Sequence, residues 1–401
     1  MNSKSIAAPS SPDFIVNPNQ DRIFLSAFSV LEEAITRHAF PAASIAVTYR
    51  GRLVALKAFG RFTYQSASEN SPVASVNVGR LFDLASVTKV VATTTATMIL
   101  YERGLVDLDA PVSAIIPEFV LGPERDARRH DVSLRMLLAH SSGLPAYERL
   151  YRKAATRDEL LHRAFTTPLT ADPGMRAEYS DIGFIILGAA LERISGESLD
   201  RFCQQEIFSR LVMIGTTFNP AAEMRLLIPP TAEEKLLTGT GASGLSRLGA
   251  PAPHVIQGTV QDENARVLGG VAGHAGVFST AEDVARFALA MLDGGRPILR
   301  PETVALFTRR EHAPAGTSRA LGWDTPSAPS QSGKYFGPTA FGHLGYTGTS
   351  LWIDPVRQVS ITLLTNRTWP DCSSQEIKQV RPKFHDAVVE AIEGASEEAF
   401  Q

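Results

Sequence analysis

The sequence predicts an α/β (α+β) fold in which one antiparallel sheet is assembled from both ends of the chain and flanked by helices, with a mainly helical lobe inserted between them. Three observations carry this. β-Branched and aromatic runs at Ala43–Tyr49 and Leu53–Phe59 meet at Arg50-Gly51-Arg52, which reads as a hairpin. Two further strand-like runs, Thr349–Ile353 and Val359–Thr365, flank the turn Asp354-Pro355-Val356-Arg357 near the other end. Between these pairs the apolar residues recur at helical spacing, punctuated by Gly and Pro.

The elements follow in order. Residues 1–17 are rich in Ser, Pro and Ala and read as a flexible tail. From Asp21 to His38, Ile23, Phe24, Ala27, Phe28, Leu31 and Ile35 form one apolar stripe with Glu32, Glu33 and Arg37 opposite, an amphipathic helix. The hairpin comes next, then a polar loop from Tyr64 to Ser75. Leu81–Ala85 leads into a long helix from about Ser86 to Arg103, which Gly104 stops. Further helices are expected near Ser133–His140, Arg157–Phe165, Ile182–Ile194, Leu199–Leu211 and Ala281–Leu292, and a last one from about Ser374 to Glu393. With no internal repeat and no long low-complexity linker, residues 18–396 read as a single domain of two lobes. Its α/β lobe spans about 18–85 and 340–396, and its helical lobe about 86–339.

Composition narrows the function. A content of 44% hydrophobic and 20% charged residues is that of a chain with a large core. A net charge of -3 with no Lys/Arg-rich run gives no electrostatic footprint for nucleic acid. No segment reaches the ~20 apolar residues of a membrane helix, because Ile182–Leu191 is flanked by Asp181 and Glu192. The N-terminus lacks a secretory apolar region, so the chain as written is expected to be cytoplasmic, or periplasmic or secreted if a leader has been removed. Cys203 and Cys372 form no paired motif, the nine His residues show no metal-ligand spacing, and no G-x-S-x-G elbow is present. Nothing in the sequence specifies an oligomeric state.

Three short segments carry chemistry. In Ser86-Val87-Thr88-Lys89 a hydroxyl and an amine stand three residues apart, one helical turn, so the amine can take the hydroxyl proton. Ser86 also sits at a helix N-terminus, where backbone N–H groups favour an anion. Alone, the pattern arises by chance about once in a chain of this length, and an N-capping Ser with a solvated Lys explains it equally. Tyr179-Ser180-Asp181 stands at a loop-to-helix junction that can project a phenol into a cleft. For that phenol to act as a base at neutral pH, a cation such as Lys89 must favour the phenolate. A half-buried Tyr bonded to backbone is the plainer reading. His343-Leu344-Gly345-Tyr346-Thr347-Gly348 precedes a strand, and its glycines allow backbone to approach a ligand or merely to turn.

Taken together, in this order and at these separations, the segments resemble the S-x-x-K, Y-x-N and K-T-G signature of class C β-lactamases, penicillin-binding proteins and related carboxylesterases. Typical phrases of that superfamily extend the resemblance along nearly the whole chain. They include Leu105–Val112, Leu137–Pro145 and Gly269–Thr280, besides Leu84–Lys89. The resemblance implies a β-lactamase/transpeptidase-like fold, an acylated Ser86, and Lys89 and Tyr179 sharing general base and acid duties. It implies an oxyanion hole built from the N–H groups of Ser86 and Tyr346, and neither metal nor organic cofactor.

The departures matter as much. Asp181 replaces the Asn that would meet an acyl side chain, and His343 and Leu344 replace the Lys and Thr that favour a carboxylate. H-x-G variants look like those of family VIII esterases. Partial protonation of His343 near neutral pH would retain a weak carboxylate preference. Asp181, His343, Gly345 and His274 are therefore the expected substrate-binding residues, His274 either lining the cleft or serving as a structural hydrogen-bonding residue. The expected activity is a carboxylesterase acting on short-chain esters. A β-lactamase or D-alanyl peptidase, or an acyltransferase with the same nucleophile, is the alternative. The expected partner is a small ester or β-lactam-like molecule.

Overall fold

The computed structural model describes residues 16–64, 74–121, 126–234 and 254–400. Its main sheet has five antiparallel strands in the order Arg52–Gly60, Ala42–Tyr49, Val359–Thr365, Ser350–Asp354, Phe341–Leu344. Strands from the two ends of the chain meet at its centre, where Val47 pairs with Ile361 and Ala43 with Thr365. The fold class expected from the sequence is the one found.

Alternation along strand Ala42–Tyr49 divides two cores, because successive side chains point to opposite faces. Ala43, Ile45 and Val47 pack with Phe28 and Leu31 of helix Leu25–Thr36 and with Phe384 and Val388 of the C-terminal helix Ile377–Gly394. Ala42 and Ala46 turn to the other core, which includes Val284, Ala285 and Ala288. Those residues belong to helix Ala281–Leu292, begun by Thr280, whose hydroxyl accepts from Asp283 N–H. Small side chains on that face (Ala42, Ser44, Ala46) let this helix lie close to the strands.

That packing corrects the expected lobe boundary. Helix Ala281–Leu292 lies on the main sheet and belongs to the α/β lobe, although the sequence placed it within the helical stretch 86–339. The apolar stripe of a helix does not say whether a sheet or another helix covers it. The tail boundary shifts as well: residues 1–15 lie outside the described residues, but Val16 packs on the core and the Asn17 side chain donates to Ala399 O. The domain also runs past 396, since the Phe400 ring packs on Tyr49 and Phe24. Of the loop Tyr64–Ser75, residues 65–73 lie outside the described residues.

Several elements depart from expectation. The first helix is interrupted at Phe24, between Gln20–Ile23 and Leu25–Thr36. Leu199–Leu211 is α-helical only to Cys203 and continues as a wider π turn to Phe208. Strand Phe341–Leu344, helix Pro301–Thr308 and a small sheet of Phe82–Asp83, Val277–Ser279 and Thr217–Phe218 carried no sequence signal strong enough to read. Among the described residues, no helix is long and apolar enough to cross a membrane.

The C-terminal helix is tied to the sheet by His385, which is fully buried. Its Nδ1 lies 3.0 Å from Gln331 O and so donates, leaving Nε2 to accept from Ser350 Oγ at 3.2 Å. Burial pushes the imidazole pKa down from 6.5 to about 3. The unfolded chain therefore binds a proton that the folded chain refuses, and the stabilisation present above pH 6.5 is lost as pH falls toward about 3. His385→Gln is expected to flatten the acid limb of stability by about 1.4 kcal/mol per pH unit over that window. Urea midpoints at pH 4.5, 5.5 and 7 check this, and parallel profiles for parent and variant would refute it.

Candidate active site

The expected helix from Ser86 to Arg103 is built in three parts. A 3-10 turn over Ala85–Val87 leads into a π-helical stretch over Lys89–Thr94, and a regular helix follows over Thr95–Glu102. Threonines supply the cause. Thr95 Oγ1 donates to Val90 O at 2.7 Å, five residues back, and Thr93 Oγ1 leaves the helix to donate to Gly273 O at 2.7 Å. Ala85 precedes the serine with φ 45, a left-handed conformation that costs a residue bearing a Cβ about 1 kcal/mol or more. Asp83 fixes that bend by accepting from Ala85 N–H at 2.8 Å.

Ser86, Lys89 and Tyr179 come together at the mouth of this bend. Lys89 Nζ lies 3.0 Å from Ser86 Oγ, and the Tyr179 hydroxyl donates to the same oxygen at 2.7 Å. Lys89 is fully buried and also donates to Asp181 Oδ1 at 2.6 Å and to His274 O at 3.1 Å. Burial lowers its pKa against the opposing pull of Asp181. Tyr179 moves the other way: burial first, then the Asp181 carboxylate, hold it well above 10. The condition set by the sequence for a Tyr179 base, a cation that favours its phenolate, is outweighed here by burial and by Asp181. In the free site Tyr179 is a phenol and a donor, and Lys89 is the group whose basicity burial has tuned.

Asp181 is also placed differently. Expected as a contact for the substrate, it borders the cleft but spends its carboxylate on Lys89. Ser180 caps its helix, Asp181–Ser195, by accepting from Gly183 N–H at 3.0 Å. His140 holds the segment from behind, its Nδ1 accepting from Ser180 N–H at 3.0 Å while its ring lies 4.7 Å from the Tyr179 ring. That role was not legible in the sequence, where His140 appeared only within a family phrase.

The third segment lies on the edge strand. His343 pairs with Leu351 in the ladder, and the turn Gly345–Gly348 follows. Gly345 approaches the segment before Ser86 so closely that a Cβ would stand 2.6 Å from Leu84 O, and Thr347 Oγ1 donates to Asp83 O at 2.8 Å. The turn is thus fastened to the residues that lead into Ser86. Tyr346 N–H has no protein acceptor among the described residues, as a donor reserved for a substrate oxygen requires.

His343 corrects the expectation of partial protonation. It is 3% exposed, and burial, then Lys89 and Arg319, drives its pKa well below 6.5. Its Nδ1 donates to Leu344 O at 2.8 Å, so Nε2 is unprotonated, and that atom is buried without a partner. A neutral imidazole offers no charge to a carboxylate. His274 borders the cleft, its ring engaged by Asp262 with Nε2 2.8 Å from Oδ1, and it is the backbone oxygen that reaches Lys89. Gly188 and Gly273 make that reach possible, because a Cβ on Gly273 would meet Phe184 O at 2.1 Å.

These residues border a cleft of about 710 Å³. Sequence reasoning missed part of its wall. Arg319 lies 5.5 Å from the Tyr179 ring centre and 3.6 Å from Asp324, and Tyr147 and Tyr346 stand half-exposed at the rim. Asp262, Glu263 and Arg381 also border it. No short motif marks these positions; the fold gathers them from separate loops and from the C-terminal helix.

A serine hydroxyl held between a buried amine and a phenol, at the base of a cleft between sheet and helices, defines a serine hydrolase of the penicillin-recognising type. The comparisons are explicit about the family. The model of the Beta-lactamase family matches residues 28–380, and the chain belongs to that family. Among curated proteins it is 33% identical over 350 residues to the N-acetylmuramyl-L-alanine amidase of Bacillus subtilis, covering 82% of this chain and 77% of that one. It is 31% identical to a putative D-alanyl-D-alanine carboxypeptidase of Escherichia coli, covering 82% and 79%. Among solved structures, EstCE1, a hydrolase with promiscuous acyltransferase activity, superposes with a TM-score of 0.71 at 21% identity over 92% of this chain and 99% of that one. A class C beta-lactamase superposes with a TM-score of 0.68 at 17% identity, over 95% and 99%. These structural likenesses bear on the fold.

Proposed function

We propose that this chain is a carboxylesterase acting on short-chain esters through an acyl-enzyme on Ser86. The observation that carries the proposal is the position of Ser86 Oγ, 3.0 Å from Lys89 Nζ and 2.7 Å from the Tyr179 hydroxyl. In the reactive state Lys89 is a neutral amine. Its two N–H bonds serve Asp181 and His274 O, and its lone pair faces the Ser86 proton. Ser86 Oγ attacks the ester carbonyl as that proton passes to Lys89, and the carbonyl oxygen, now negative, takes the N–H groups of Ser86 and Tyr346. Collapse of the adduct expels the alkoxide, which takes the Tyr179 proton, and Lys89 returns its proton to Tyr179. Water then attacks the acyl carbonyl by the same steps in reverse, with Ser86 as the leaving group.

The preference for esters rests on His343. Where relatives of the K-T-G type hold a permanent cation, this cleft holds a neutral imidazole. A peptidase reading has one specific support, the Arg319 guanidinium in the cleft wall, together with the amidase and carboxypeptidase names of the curated relatives. Rates on p-nitrophenyl butyrate, a chromogenic cephalosporin and an acyl-D-alanyl-D-alanine separate these readings. The ester is expected to lead in kcat/KM by roughly a hundredfold, because each carboxylate-bearing substrate lacks the charge-assisted hydrogen bond, worth about 1.5–3 kcal/mol, that a Lys in place of His343 would supply. Equal or faster turnover of the cephalosporin or the peptide would reverse the assignment.

A further inference from the structure

The turn that presents Tyr346 N–H is gripped from behind by a buried cation. In the peptide unit joining Gly345 to Tyr346, the N–H end faces no protein acceptor among the described residues. The carbonyl end, Gly345 O, accepts from Arg381 Nη2 at 2.7 Å as well as from Gly348 N–H at 3.1 Å. Arg381 also donates to Thr349 O at 2.9 Å and, through Nε, to Gly348 O at 3.1 Å. It stands on the C-terminal helix, is 6% exposed, and has no carboxylate within salt-bridge distance among the described residues. Burial and neighbouring Arg367 lower its pKa to about 9, so it remains charged at neutral pH.

A buried guanidinium without a counter-ion is costly unless its donors are satisfied. Here three backbone oxygens of one short turn accept from its Nε and Nη2, and the unbalanced positive charge falls on that turn. The amide bond is conjugated, so a cation hydrogen-bonded to its oxygen draws electron density from its nitrogen and makes the N–H a stronger donor. Arg367 makes an instructive contrast. Its Nε donates to Tyr346 O at 2.8 Å, the carbonyl of the next peptide unit, whose N–H belongs to Thr347.

We propose that Arg381 is a positioning residue of the oxyanion hole, holding the Gly345–Tyr346 peptide in place and polarising it so that Tyr346 N–H binds the developing negative oxygen more tightly. The proposal rests on the Ser86 acyl-enzyme reading and goes beyond it, since no S-x-x-K, Y-x-N or K-T-G segment contains this residue. Because the interaction grows only as charge develops on the substrate oxygen, its loss lowers kcat and leaves KM nearly unchanged.

The test compares the parent with Arg381→Gln and Arg381→Lys. It measures kcat and KM on p-nitrophenyl butyrate and the affinity for n-butylboronic acid, whose tetrahedral adduct places an anionic oxygen in the hole. Arg381→Gln is expected to lose roughly tenfold in both kcat and boronate affinity, with KM within about twofold of the parent. Arg381→Lys, which keeps the charge but not the fork, is expected to fall between. A rise in KM with kcat retained, or equal boronate affinity in all three proteins, overturns the proposal. If Arg381→Gln does not fold, Arg381→Lys alone is read by the same outcomes. Should the parent bind the boronic acid no better than Ser86→Ala does, the acyl-enzyme reading falls and this proposal with it. A Ser86-dependent boronate that ignores both substitutions removes only the role of Arg381.

Discussion

Ser86→Ala is expected to lower kcat on p-nitrophenyl butyrate by at least about 10³-fold while changing folding stability by less than about 1 kcal/mol. The activity loss follows from covalent catalysis: without Oγ there is no acyl-enzyme, and what remains is binding and the oxyanion donors. The small stability change follows from where the hydroxyl sits. Ser86 is partly exposed at a cleft of about 710 Å³, so water can replace Oγ as a partner for Lys89 and Tyr179. Substrate kinetics and urea denaturation on the same preparation check both halves. An active, folded Ser86→Ala protein contradicts the assignment.

Lys89→Met is expected to be as damaging to turnover, at least about 10³-fold in kcat, and unlike Ser86→Ala it is expected to cost stability. Methionine fills the same buried space without a proton acceptor, leaving Ser86 as an unassisted alcohol. It also removes the partner of Asp181, whose side chain is 17% exposed and whose carboxylate is left without its cation. Breaking a fully buried pair costs about 3–5 kcal/mol, and partial exposure of Asp181 reduces that to roughly 2 kcal/mol. Adding Asp181→Asn is expected to recover part of the stability and none of the turnover. Activity returning in the double variant would show that Lys89 acts through structure and not as a base.

The sheet was legible because its strands announce themselves locally. Ala43–Tyr49 and Val359–Thr365 are β-branched runs bounded by turns, and the structure places them side by side. Edge strand Phe341–Leu344 was not, since four residues with a central Gly look like a loop until Ser350–Asp354 pairs with them. Helix Ala281–Leu292 was read to the residue, yet its neighbour was misread, because an apolar stripe records burial and not the identity of what covers it. The central serine, lysine and tyrosine were found through spacing and resemblance, which report residue types at fixed separations. Their protonation was not. That Tyr179 is a phenol and His343 a neutral imidazole depends on burial and on the carboxylate and cations facing them, which only the folded chain assembles. Asp181 illustrates the same gap. As a letter it replaces an amide, whereas in space it is the counter-ion of Lys89. Arg381 lies 36 residues beyond Gly345 and acts through a backbone carbonyl, a contact that leaves no local pattern.

The central claim is that an acyl group passes through Ser86. It is tested most directly by rapid acid quench of the enzyme during turnover of p-nitrophenyl butyrate, followed by mass spectrometry of its peptides. The account predicts one butyryl group on the peptide that contains Ser86, formed in a burst and absent from Ser86→Ala. Turnover that proceeds with the acyl group on another residue, or that persists in Ser86→Ala, would contradict it.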